Sequence, residues 1–252
     1  CIRDSLSIGF KTHFENMIEQ SIFAEECGYH TVSIPEHHLV NLLMMPSPLQ
    51  MAVKIATLTK NINIATSVAV LPLHDMRTYA GEISTADILT DGRLIFGVGR
   101  GAFAWEMNRL GSSIDTSKEK FIESLEVLKL LLSKKDVCFK GKYYNFDPIT
   151  IMPRPISKSI QIMVAAMDPD SIKNSALNGF HVQSTVLSGT KDLLIKRVNA
   201  FKEGCAELGE KGKLLKLSMQ RMAFAAKNEN DAKEKNKLAY GCLLYTSDAA
   251  DE

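Results

Sequence analysis

Four short stretches of this 252-residue chain carry side chains suited to chemistry. Pro35–His38 sets Glu36 beside His37 and His38, and Leu71–Asp75 ends in His74 and Asp75. Gly97–Gly101 places Arg100 between glycines, and Ala166–Ser171 follows an apolar run with Met167, Asp168 and Asp170. Histidine titrates near neutrality and can donate or accept a hydrogen bond, which suits moving a proton or steadying an oxygenated intermediate. Arginine offers several donors matched to phosphate oxygens. Glycine lets a backbone approach a ligand closely.

Each stretch also has a plainer reading. Glu36, His37 and His38 could form a metal site, a hydrogen-bonded rim, or a cofactor or substrate pocket. Adjacent side chains diverge along an extended segment, and there is no HExxH signature, so no metal is expected. Gly97–Gly101 is not a dinucleotide fingerprint, because no GxGxxG turn follows. Arg100 is either a phosphate contact, with the Gly101 N–H on the same anion, or a strand-end ion pair. Asp168 reads as a helix cap, while Asp75 stays open between capping and catalysis. His74 reads as structural or pocket-lining, and Trp105 as a pocket edge or ordinary packing. His13, His30 and His181 read as solvent-facing or packed.

The elements that must position these groups alternate along the chain. Phe14, Met17, Ile18 and Ile22 mark a helix, with Gly28 as its stop. Thr31–Pro35 reads as a buried strand, and Ser47-Pro48 as a helix start. Ile62–Pro72 is a continuous apolar run, as expected of one strand buried on both faces. A helix over about 75–89, a strand at Leu94–Gly99 and a helix through Phe121, Leu125, Leu128 and Leu132 follow. Gly141–Asp147 reads as a hairpin, Ile160–Ala166 as a strand, and Pro169 as a helix start. Phe180–Thr185, a helix near 189–208, a strand within Leu215–Ala226 and a helix through Ala232 and Leu238 complete six alternations. This pattern is parallel α/β, and both a closed barrel and an open doubly wound sheet fit it. Functional residues in such folds gather at the C-terminal ends of strands, where the stretches above fall.

Composition sets the remaining bounds. The chain is 45% hydrophobic and 23% charged with a net charge of +1, which disfavours a disordered chain or a basic nucleic-acid coat. Five cysteines without a CxxC pair fit a reducing cytoplasm. No stretch reaches the roughly 18 apolar residues of a membrane span. Residues 1–241 read as one barrel-sized domain. Residues 242–252, CLLYTSDAADE, lack helix periodicity and read as a tail. Both ends suggest a fragment.

The motifs in order are SIPEHH at Ser33–His38, SVAVLPLHD at Ser67–Asp75 and DGRLIFGVGRGAF at Asp91–Phe103. GKYYNFD at Gly141–Asp147, MPRPIS at Met152–Ser157 and IQIMVAAMDPDSIKNSALNGF at Ile160–Phe180 follow. Together they resemble the bacterial luciferase-like flavin-dependent monooxygenase superfamily, over about residues 14–235. The resemblance implies a TIM-type (β/α)8 barrel, here incomplete at both ends, holding reduced FMN at its C-terminal face. It implies a peroxyflavin that oxidises a small organic substrate with molecular oxygen, a separate flavin reductase, and a dimer. His37 matches the family's pocket histidine, with Glu36 as its catalytic companion. His38, His74 and Trp105 fall in the implied substrate pocket. Arg100 matches the phosphate-contacting arginine, flanked by Gly99 and Gly101. Ser67 and Val68 match the pair joined by a non-prolyl cis peptide beneath the flavin. Ala166 and Met167 fall at the phosphate loop, where Met167 replaces a small hydroxyl residue. Alternatives are hydride transfer with the deazaflavin F420 and a non-catalytic flavin-binding or barrel-assembly subunit.

Overall fold

The computed structural model describes residues 9–40, 44–185, 190–221, 223 and 225–248. Helix α1 (Phe10–Glu26) leads to strand β1 (Thr31–Ile34), and α2 (Pro48–Ala56) leads to β2 (Asn63–Thr66). A short strand β3 (Ala69–Val70), a 3-10 turn (Leu71–Leu73) and α3 (Met76–Leu89) come before β4 (Leu94–Gly99). Helices α4 (Ala104–Arg109) and α5 (Ile114–Ser133) precede an antiparallel hairpin of β5 (Val137–Lys140) and β6 (Asn145–Ile149). The alternation resumes with β7 (Gln161–Ala165), α6 (Pro169–Leu177), β8 (His181–Thr185), α7 (Lys191–Leu208), β9 (Leu217–Gln220) and α8 (Glu229–Asp248).

The main sheet is parallel throughout and runs β1-β2-β4-β7-β8-β9, with β3 also paired to β4. Order in space follows order in sequence. A barrel wound in one direction has this property, whereas a doubly wound sheet reverses at its switch point. The structure therefore decides between the two architectures left open by periodicity. Among the described residues β1 and β9 each have one neighbour. The result is a curled, partly open sheet, the fold of an incomplete TIM-type barrel.

The apolar run at Ile62–Pro72 is not one strand. The ladder stops at Thr66, the Ser67–Val68 peptide is cis, and the chain re-pairs only at Ala69–Val70 before turning. Hydropathy records burial, which is continuous here, and cannot record a break in the backbone ladder. Helix α8 also differs from expectation, since it continues through Asp248 and across the expected start of the tail at residue 242.

Burial explains the sheet's cohesion. Ile64 of β2 and Phe96 and Val98 of β4 meet Leu49 and Ile55 of α2, Ile83 of α3, and Leu128 and Leu131 of α5, all buried. Each such side chain contributes roughly 1.5–3 kcal/mol by leaving water. A smaller cluster packs Val182 of β8 under Ile172 and Ala176 of α6 and Ala200 and Phe201 of α7. Gly97 marks a very close strand approach, because a Cβ there would lie 1.9 Å from the Thr66 carbonyl oxygen. The hairpin expected at Gly141–Asp147 is present, and its turn is tied to α5. The Glu123 carboxylate accepts the backbone N–H groups of Lys142, Tyr143 and Tyr144 at 3.0, 2.7 and 2.7 Å.

Candidate active site

The C-terminal ends of the strands meet at one mouth. There, β1 runs out into Pro35–His38, and residue parity divides its side chains. Glu36 and His38, two apart, face one way. The Glu36 carboxylate is 2% exposed and accepts three hydrogen bonds. Oε1 takes His38 Nε2 at 2.7 Å and His74 Nε2 at 2.6 Å, and Oε2 takes the Val70 N–H at 2.9 Å. Burial pushes this carboxyl upward, but the two histidines, the charge on His74 and the Val70 N–H outweigh it and hold it at about 2. The hydrogen bond to Glu36 raises His38 above the ordinary imidazole value, against its partial burial. His74 is fixed from its other side by stacking on Tyr79, with centroids 3.9 Å apart and planes 4° from parallel.

Glu36, His38 and His74 bring three ligand-type atoms within 4.8 Å of one another. Two ligands about 2.0–2.1 Å from one tetrahedral Zn²⁺ stand about 3.3 Å apart. The 2.6 and 2.7 Å separations here are those of hydrogen bonds.

His37 faces away from this cluster. Its Nδ1 lies 3.4 Å from Oε2 of Glu106, a carboxylate on α4 that is 1% exposed. Glu106 also accepts the backbone N–H of His38, so it fixes the whole segment. Reading by motif misses Glu106, and the available signal is an acid between Trp105 and Met107 on a short apolar helix. The His37 ring meets Phe103 at 5.3 Å, and Phe103 stacks on Trp105 at 5.7 Å. Arg109 lies over Trp105, whose buried indole N–H has no hydrogen-bond partner among the described residues. These groups form an aromatic wall beside the mouth.

Next to these groups, the ends of β2, β7, β8 and β9 surround an open cleft of ≈ 110 Å³ lined by Ser67, Val68, Ala165, Met167, Gln183, Ser184 and Gln220. Ser67, Val68 and Met167 were expected at such a site, while Gln183, Ser184 and Gln220 were not. Gln183 reaches across the interior from β8 and donates Nε2 to Ser67 Oγ at 2.5 Å, while its buried Oε1 has no partner. Ala166 is 5% exposed, and its side chain packs outward with the α6–α7 cluster. Strand alternation turns Ala165 and Met167 to the cleft and Ala166 away. Its backbone N–H is engaged too, donating to the Gln183 carbonyl at 2.9 Å.

Gly99 leaves room for Val68, whose Cγ2 would lie 2.5 Å from a Cβ there. Gly101 lies beyond the strand at φ +88° and against Met107. Arg100 between them is exposed and forms no ion pair or hydrogen bond with any of the described residues. Asp75 and Asp168 cap α3 and α6 by accepting the N–H groups of Arg77 and Ser171 at 2.9 and 2.8 Å. Asp75 is thus a cap, and Asp168 engages the Ser171 N–H at the start of α6. Of the other histidines, His30 is exposed and His181 is partly buried, accepting the Lys216 N–H at 3.1 Å.

Residues 3–246 match the family model of luciferase-like monooxygenases. An uncharacterized protein of Sinorhizobium fredii is 31% identical over 84% of this chain and 60% of its own length. The oxygenase component of a flavin-dependent trigonelline monooxygenase from Acinetobacter baylyi is 29% identical over 88% of this chain and 62% of its own. An F420-dependent glucose-6-phosphate dehydrogenase from Amycolatopsis mediterranei is 29% identical over 82% of this chain and 65% of its own. The chain thus spans about three-fifths of the length of these relatives. Among solved structures, the monooxygenase RslO1 from Streptomyces bottropensis superposes with a TM-score of 0.85 at 23% identity, over 94% of this chain and 73% of that one. The oxygenating constituent of 3,6-diketocamphane monooxygenase from Pseudomonas putida, in complex with FMN, does so at 0.70 and 21%, over 78% of this chain and 57% of that one. Among the described residues no helix is long and apolar enough to cross a membrane. The fold and the family match agree, and the chain belongs to the luciferase-like monooxygenase family, a family of flavin-dependent oxidoreductases.

Proposed function

We propose that this chain is the oxygenase part of a flavin-dependent monooxygenase that takes reduced FMN from a separate reductase and oxidises a small organic substrate. The observation that carries the reading is the cleft over Ser67 and Val68 at the strand ends, with a buried acceptor on Gln183 and a cation on Arg100 that have no partner among the described residues. A planar heterocycle with polar edges and a phosphate tail fits that donor and acceptor set. Bound there, reduced flavin supplies the two electrons that activate molecular oxygen for transfer of one oxygen atom.

The chain's own residues have separable tasks. Ser67 and Val68 would form the floor under the ring, and Gln183 would flank it from β8. Arg100 holds the phosphate, and Gly99 keeps β4 clear of Val68. His37, braced by Glu106, holds or moves a proton at the mouth. Glu36 stays ionised and orients the imidazoles of His38 and His74 toward the substrate side. Phe103 and Trp105 cover the pocket and exclude water. The full-length protein acts as a dimer in the cytoplasm, a compartment that suits the free thiols of Cys27, Cys138 and Cys205.

Hydride transfer with F420 is the second reading, favoured by the F420-dependent relative matched over 82% of this chain. Anaerobic titration with reduced FMN and reduced F420, followed by a pulse of oxygen, separates the two. The expected result is tighter binding of FMN and protein-dependent oxygen consumption. Preference for F420 with no effect on oxygen uptake would overturn the oxygenase reading.

A further inference from the structure

We propose that Gln183 recognises the pyrimidine edge of the flavin by accepting a hydrogen bond from the ring N3–H. This rests on the cofactor reading above and names the residue that sets the ring's orientation. Gln183 is 9% exposed and belongs to the cleft lining. Its neighbour Val182 packs on the opposite side of β8, under α6 and α7. Gln183 therefore points into the barrel, where it crosses to the distant Ser67.

The carboxamide has two different ends, and only one is used. Nε2 donates to Ser67 Oγ at 2.5 Å. Oε1 is buried and has no partner among the described residues. A buried acceptor without a donor is costly, so native proteins rarely keep one without a use. The groups beside it do not meet the need. Ser184 Oγ is directed to Met167 Sδ at 4.0 Å, and the Ala166 N–H is spent on the Gln183 backbone carbonyl. What the site lacks is a donor on the ligand. The isoalloxazine ring carries an N–H at N3, flanked by two carbonyl oxygens, in its oxidised and its reduced form. A ligand seated with that edge toward β8 satisfies Gln183 and sets its dimethylbenzene edge on the opposite side.

The test compares FMN with N3-methyl-FMN by quenching of flavin fluorescence, on the wild-type chain and on Gln183→Ala. Wild type should bind FMN at least tenfold more tightly than the methylated analogue, since the methyl removes a hydrogen bond and meets the carboxamide. Gln183→Ala should weaken FMN roughly tenfold and bring the two ligands within about twofold of each other. Circular dichroism establishes that the variant is folded. If it is not, Gln183→Met replaces it, and the wild-type comparison stands alone in either case. Equal binding of the two ligands by wild type would overturn the inference while leaving the cofactor reading intact. So would discrimination that persists in the folded variant. Failure of folded wild type to bind any FMN overturns both.

Discussion

Replacing Glu36 with glutamine should cost about 3 kcal/mol near pH 5.5 and almost nothing near pH 2. Glutamine has the shape of the protonated carboxyl, so the substitution asks what ionisation contributes. The Glu36 carboxyl lies at about 2 against an ordinary value of 4.5. At 1.36 kcal/mol per unit, that difference is about 3 kcal/mol. Hydrogen-bond accounting gives a similar size. The carboxylate accepts from His38, His74 and Val70, and a carboxamide has one acceptor oxygen for them. Whichever way it turns, its NH₂ opposes at least one donor, at roughly 1–3 kcal/mol per stranded group.

The pH dependence has a definite sign on each side. A depressed carboxyl contributes fully above its unfolded value and loses that contribution as pH falls through its folded value. The wild-type advantage should therefore shrink from pH 4.5 toward 2. His38 is raised, so its contribution is complete below its ordinary value of 6.5 and is lost as pH rises through its folded value. The advantage should also decline above about pH 6.5. Urea unfolding of both proteins across pH 2–8, followed by circular dichroism, measures the difference directly. A difference below about 1 kcal/mol at pH 5.5, or one flat across the range, would refute the claim that the cluster rests on a carboxylate.

Three further outcomes follow from contacts in the sheet and the mouth. Gly97→Ala should destabilise the fold by about 3 kcal/mol or more, since its Cβ would fall 1.9 Å from the Thr66 carbonyl oxygen; soluble protein with an unchanged urea midpoint would argue against that approach. Arg100→Ala should weaken FMN roughly tenfold and leave riboflavin unchanged by calorimetry, because only FMN has a phosphate for the free guanidinium; equal losses for both ligands would remove Arg100 from the phosphate. His37→Ala should leave FMN affinity within about threefold and lower product per reduced FMN about a hundredfold, with the difference released as hydrogen peroxide; unchanged coupling would deny His37 a proton-handling role.

What could be read in advance depended on whether the cause was local. Ser47-Pro48 and Asp168-Pro169 announce helix starts by φ restriction, with a side-chain cap at Asp168, and both helices begin there. Leu94–Gly99 announces a buried strand by apolarity alone. Parity along an extended segment warned that Glu36, His37 and His38 would not converge, and His37 does turn away to Glu106. The partner that completes the cluster, His74, comes from 38 residues later in the chain, and no local pattern links the two. Glu106 and Gln183 were missed for the same reason. Glu106 stands 69 residues from His37, and Gln183 stands 116 from Ser67. Their roles exist only once the sheet has curled, because curling brings strand ends together that sequence keeps apart. The family motifs point to His37, Arg100 and the Ser67–Val68 pair because a motif stores the outcome of that curling for related chains. Ala166 shows the limit of that store. It lies inside a matched motif, yet the alternation of β7 turns it to the helices and leaves Ala165 and Met167 at the cleft. A motif thus locates a strand end, and the one-residue parity of the strand decides which of its side chains can touch a ligand.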